Sequence, residues 1–271
     1  MFDPPAARTR ALTQADLPPL PLWSPDTLAD AIAALRHAPS PAAIYAGGTD
    51  FFAQVREGAS PASLIWIDGI AALRQVRATP ATLTLGALLT HHQVMALPEL
   101  DAIPGLAAAW GRIATVRIRR QATLGGNLMA RRARYELSIL LDALGATAHL
   151  IGPDGARDLP VGDIWTADLS GTPLLACVSI PLEGAPRLDY ERSMRPTFTQ
   201  ALCLRDDGLR LSLATEWQRP WTTDAARGDD PAAVLSALPA DFHDPGVGHA
   251  HLEQVGAVFL ARQITRLEAL Q

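Results

Sequence analysis

Two glycine doublets set among small polar residues are where chemistry is easiest to read in this chain. They are Ala46-Gly47-Gly48-Thr49-Asp50 and Thr123-Leu124-Gly125-Gly126-Asn127, and both follow stretches that read as extended. A Gly-Gly turn lets the backbone come close to a large ligand and aims successive N–H groups at an anion. Either doublet alone reads better as a structural turn; the pair suits a diphosphate, and so a dinucleotide. An arginine cluster accompanies them: Arg112, Arg117, Arg119, Arg120, Arg131, Arg132 and Arg134, with no acid between positions 112 and 135. A solvated face explains most of it. Arg119 or Arg120 is placed to neutralise a diphosphate. Arg131, Arg132 and Arg134 would either dock an acidic partner or exclude a cofactor.

Other chemistries find little support. No Ser–His–Asp arrangement or carboxylate pair is evident, and His91 and His92 read as helix-start residues. His243, Asp244, His249 and His251 fall around a glycine loop and match no ligand spacing, so no metal is expected. Cys177 and Cys203 sit in apolar runs and read as small buried hydrophobes. All 23 basic residues are arginine, which excludes Schiff-base chemistry on a lysine. The net charge of −5 argues against nucleic-acid binding. Met1–Pro5 lacks the pattern of a signal peptide and no apolar run approaches a membrane span, so a cytoplasmic protein away from membranes is expected.

Stepping along the chain, residues 1–22 read as an arm. Ser24-Pro25-Asp26-Thr27 predicts a helix start with Ser24 as N-cap. Ala43–Tyr45, Leu64–Ile67 and Leu83–Leu85 read as strands, and Thr90–Gln93 as a capping box. A small-residue helix is expected over 103–114, and a second over Glu136–Leu144 that stops at Gly145. Further strands are expected at Ala148–Ile151, Leu174–Ile180 and Leu188–Arg192. A hairpin turns at Asp206-Asp207-Gly208, and closing helices span 230–238 and 252–270. In the last helix Val255, Val258, Phe259 and Leu267 form the expected buried stripe. The class is α+β: mixed strands and helices, then an antiparallel sheet packed with helices.

The ordered set of motifs resembles the FAD-binding, or medium, subunit of molybdenum hydroxylases, the family of carbon monoxide dehydrogenase and bacterial xanthine dehydrogenases. The resemblance rests on Ser24–Ala31, Ala46–Asp50, Leu85-Gly86-Ala87, Ile118–Asn127, Leu144-Gly145-Ala146 and Val178–Pro181. Tyr190, Arg192 and Arg195 are similar to the family's tyrosine–lysine–arginine stretch. It implies a two-lobed FAD-binding fold of the vanillyl-alcohol oxidase type over 23–165, and an α+β domain covering the flavin over 166–271. It also implies that Ala46, Gly47, Gly48, Thr49 and Asp50, with Thr123, Leu124, Gly125, Gly126 and Asn127, hold the FAD diphosphate. Glu136 and Arg192 would serve the nucleotide and flavin ends.

By the same resemblance, this would be an FAD-dependent oxidoreductase subunit active only within a complex. Electrons would come from a [2Fe-2S] cluster of a small subunit, fed by a large molybdopterin-binding subunit, and leave to an external acceptor. Three departures stand out: the bulky Met129–Arg134 stretch, Glu136 in place of aspartate, and Arg192 in place of lysine. They leave an alternative open, a non-catalytic assembly subunit that keeps the fold without FAD.

Overall fold

Three sheets organise the chain in the computed structural model, which describes residues 19–171, 173–194 and 197–269. The first is parallel, with β1 (Leu22–Trp23), β3 (Ser63–Trp66) and β2 (Ala42–Tyr45) in that spatial order. Parallel neighbours need crossovers. Helices α1 (Leu28–His37) and α2 (Phe51–Arg56) provide them. Ala31 and Ala34 of α1 bury against Ile65, Ile67 and Leu73. The cap of α1 is Thr27 rather than Ser24: Thr27 has the extended backbone a cap needs, and its hydroxyl accepts the Asp30 N–H at 3.1 Å.

The second sheet is antiparallel: β4 (Val76–Ala78), β5 (Thr82–Gly86), β8 (Leu174–Pro181), β6 (Thr147–Gly152) and β7 (Gly155–Pro160). Alternate residues Leu83, Leu85, Ala148, Leu150, Val178 and Ile180 face the main core. Against them pack α3 (His91–Met95), α4 (Leu106–Gly111), α6 (Leu124–Met129) and α7 (Leu137–Ala143), with α5 (Val116–Arg119) at the surface. The Thr90–Gln93 capping box is present, and Gly145 closes α7 with φ +64°. The expected helix over 103–114 is shorter, because Gly105 at φ +89° caps it. β8 lies beyond residue 165 yet is the middle strand of this sheet, so the lobe is complete only at Pro181.

The third sheet runs β12 (Trp221–Ala225), β11 (Gly208–Thr215), β10 (Phe198–Arg205) and β9 (Arg187–Arg192), antiparallel throughout. One face packs with α8 (Pro231–Leu235) and α9 (His249–Glu268) through Leu202, Leu211, Leu252 and Leu260. The other joins the main core through Tyr190, Ala201 and Cys203. The buried stripe of α9 is Leu252, Gly256, Leu260, Gln263 and Leu267, while Val258, expected in it, is 52% exposed. Gln263 occupies a buried place because its amide hydrogen-bonds Gln200.

Candidate functional site

A cavity of about 970 Å³ lies between the first sheet and the helices of the second lobe. That is the upper end of the range for small-molecule sites. Ala46, Gly47, Gly48, Thr49 and Asp50 line one side; Thr123, Gly125, Gly126 and Asn127 line the other. Glu136 and Arg192 also reach it. Leu124, expected among them, does not: its side chain lies in the main core and its N–H donates to Leu89 O at 2.9 Å. Arg195 and residues 1–18 lie outside the described residues.

The two doublets do different work. The first leaves the C-terminal end of β2, the end of a parallel strand where ligands bind in open α/β sheets. Gly48 has φ +73°, and a Cβ there would sit 2.8 Å from the Tyr45 hydroxyl. A Cβ on Gly47 would lie 1.8 Å from the Gln121 carbonyl oxygen, so the two loops touch at this glycine. Among the described residues, the N–H groups of Gly47, Gly48, Thr49 and Asp50 donate to no protein acceptor. Successive free amides on a concave wall suit an anion.

The second doublet is not a turn after an extended stretch but the first turn of α6. Thr123 caps that helix, its Oγ1 accepting the Gly126 N–H at 3.1 Å. Gly125 donates to Ala87 O at 2.8 Å and Asn127 to Thr123 O at 3.0 Å, so these amides belong to the fold. Gly125 is required by packing, since a Cβ would fall 2.9 Å from Ala87 Cβ. What this side offers the cavity is a wall without side chains and the Asn127 amide, whose Oδ1 is buried without a partner.

The arginines separate by direction. Arg119 Nη1 donates to the carbonyls of Ile113 (2.8 Å) and Ala114 (2.9 Å), and neither Arg119 nor Arg120 lines the cavity. Arg131 donates to Ala167 O at 2.9 Å. Arg132 pairs with Asp50 at 2.5 Å and Glu57 at 2.7 Å. Tyr135 donates to the same Asp50 oxygen at 2.6 Å, and burial together with that carboxylate pushes its phenol up to about 12. Arg134 lines the cavity with no ion-pair partner among the described residues. Sequence reasoning missed Tyr135 and Gln54 as partners of Asp50; the i, i+4 spacing of Asp50 and Gln54 was the one local signal.

Glu136 and Arg192, 56 positions apart, meet at 2.8 Å, and the Tyr190 hydroxyl donates to the same Glu136 oxygen. Burial and the Glu136 charge raise the Tyr190 pKa well above the ordinary phenol value. Burial opposes the charge on Arg192, but the hydrogen bond and charge of Glu136 outweigh it and raise its pKa. Arg112 closes the cluster, 5.2 Å from the Tyr190 ring centroid and donating to Tyr190 O at 2.6 Å. The result is a rigid polar wall in which the carboxylate is already paired.

Outside the cavity, one expectation is corrected. A Ser–His–Asp chain does exist: Asp158 Oδ1 and Ser179 Oγ lie 2.8 and 2.7 Å from the two nitrogens of His149, with the Thr84 hydroxyl 3.2 Å beyond Ser179. It is a ladder across four neighbouring strands, unreadable in sequence because strand order is not sequence order. None of it lines the cavity. His91 is fully buried and accepts the Trp110 indole N–H at 3.0 Å; burial, then Arg119, lowers its pKa to about 4. No cluster of three His, Cys, Asp or Glu suited to a metal occurs among the described residues.

A parallel βαβ lobe presenting free loop amides across a large cavity from an antiparallel lobe defines a two-lobed dinucleotide-binding protein. The comparisons agree. The chain belongs to the family described as the FAD binding domain in molybdopterin dehydrogenase, which matches residues 15–183. It is 30% identical over 139 residues to the carbon monoxide dehydrogenase medium chain of Hydrogenophaga pseudoflava, covering 51% of this chain and 48% of that one. It is 32% identical over 125 residues to caffeine dehydrogenase subunit beta of a Pseudomonas species, covering 45% and 42%. The match thus spans about half the length of these curated relatives. In fold, it is similar to a solved chain of reconstituted CO dehydrogenase from Oligotropha carboxidovorans, with TM-score 0.83 and 24% identity over 93% of this chain and 99% of that one.

Proposed function

We propose that this chain is the FAD-carrying subunit of a heteromeric molybdenum hydroxylase. In that complex it would relay electrons from an iron–sulfur cluster of a small partner to an external acceptor, with a large molybdopterin-binding partner oxidising the substrate. The observation that carries the reading is the row of free amides at Gly47–Asp50 facing the large cavity. The donor set fits FAD. Those amides suit the diphosphate, Gly125 and Gly126 leave room for it, and the unpartnered Asn127 oxygen awaits a donor. Arg134 adds positive charge, and the paired Glu136, Tyr190 and Arg192 form a wall that orients without adding net negative charge. Ile118 and Leu169 contribute apolar surface to the cavity wall. Bound FAD supplies one- and two-electron redox chemistry; the protein supplies its binding, orientation and electrostatics.

The rival, an assembly subunit without FAD, has the Arg131–Arg134 stretch fill or repel the cofactor site. Arg131 and Arg134 line the cavity without filling it, Arg131 tethered to Ala167 O, and Arg132 is held by Asp50 and Glu57. We also place the protein in the cytoplasm; among the described residues no helix is long and apolar enough to cross a membrane. Purification of the tagged chain from its native cell tests the whole reading. The expected result is a complex that contains a molybdopterin-binding chain and a cysteine-rich chain and releases FAD on denaturation. A folded complex with the same partners that releases no flavin, even after incubation with FAD, would establish the rival.

A further inference from the structure

A carboxylate in an anion cradle is an electrostatic contradiction. Asp50 belongs to the loop whose amides are free, lines the cavity, and is only 11% exposed at its side chain. Unpaired, it would repel any diphosphate held a few ångströms away, with little solvent to screen the repulsion. The chain resolves this from 82 positions away: Arg132 Nε donates to Asp50 Oδ1 at 2.5 Å. The same guanidinium reaches Glu57, at the C-terminal end of α2, at 2.7 Å. One arginine therefore spans α2 from its N-cap to its C-cap and ties the parallel lobe to the opposite wall.

The backbone is bent to allow this. Arg131 has φ +49°, a conformation that L-residues other than Asn, Asp and His rarely adopt. Its side chain, bonded to Ala167 O, anchors the bend while Arg132 reaches Asp50 and Glu57. Arg132 does not line the cavity, although Arg131 and Arg134 on either side of it do. The bulky stretch that looks like an obstacle in the sequence thus serves the cradle.

We propose that Arg132 is a positioning residue for the diphosphate: by neutralising Asp50 beside the open amides of Gly47–Asp50 it sets the affinity for FAD. The inference rests on the FAD reading above. It assigns Arg132 no contact with the cofactor and no part in electron transfer.

The test is calorimetric titration of the full-length chain, purified with its partners and stripped of flavin, with FAD and separately with ADP. Wild type, Arg132→Met, Asp50→Asn and the double variant are compared, and circular dichroism checks that each is folded. Arg132→Met is expected to weaken both ligands by roughly 10- to 100-fold, the range for a charge left unpaired beside an anion. Asp50→Asn in the same chain should restore binding to within a few-fold of wild type, because the uncompensated charge is gone; Glu57, 54% exposed, stays solvated. A double variant as weak as Arg132→Met would mean a merely structural strap and would overturn the inference. Unchanged affinity in Arg132→Met would overturn it too, while leaving the FAD reading intact. Failure of the wild type to bind either ligand would remove the FAD reading, and this inference with it.

Discussion

Gly47 and Glu136 carry the sharpest predictions at the scale of single residues. With a Cβ only 1.8 Å from the Gln121 carbonyl, Gly47→Ala must push two backbone segments apart. FAD affinity should fall more than about tenfold by flavin-fluorescence titration, the loss expected when a positioned anion site is displaced. Gly228→Ala, where a Cβ meets nothing within 4 Å, should leave it unchanged. Glu136→Ala leaves the buried Tyr190 hydroxyl and Arg192 without their acceptor; urea unfolding should show a loss of about 1–3 kcal/mol, and Glu136→Gln less. His91 gives a pH prediction. Its folded pKa of about 4 lies below the ordinary 6.5, so the unfolded chain binds the proton more readily between those values. Stability is therefore full above pH 6.5 and falls by about 3 kcal/mol towards pH 4. His91→Gln, which keeps an acceptor for Trp110, should flatten that slope in urea unfolding at a series of pH values.

Elements were legible where their signals are local. The Thr90–Gln93 capping box and the Gly145 stop of α7 each depend on a few adjacent residues and stand where the sequence puts them. β7 escaped notice because it is an exposed edge strand: only Leu159 is buried, so no alternation marks it. The Gly125-Gly126 pair misled for the opposite reason. Glycines disfavour helix interiors, yet Thr123 caps this turn and Ala87 leaves no room for a side chain. Thr123→Ala should therefore cost about 1 kcal/mol, the usual value of an N-cap, seen as a lowered thermal midpoint. In the site, the Gly47-Gly48 loop was legible by motif as a stretch that lines the cavity. The Arg132–Asp50 and Glu136–Arg192 contacts were not, because they join residues far apart in the chain.

At the scale of the whole molecule, the cavity exists only because all three sheets are in place. β8 closes the second sheet between β5 and β6, and β9 delivers Tyr190 and Arg192 to the Glu136 wall. A chain cut after Trp165 leaves two long strand edges open and should show no cooperative urea transition by circular dichroism. The central claim, that this cavity holds FAD, is met most directly by one measurement: release of flavin by denaturation from the chain purified with its native partners, identified and counted against protein. FAD approaching one per chain is the expected result. A correctly folded complex that yields no flavin, and takes up none when FAD is supplied, would contradict the account.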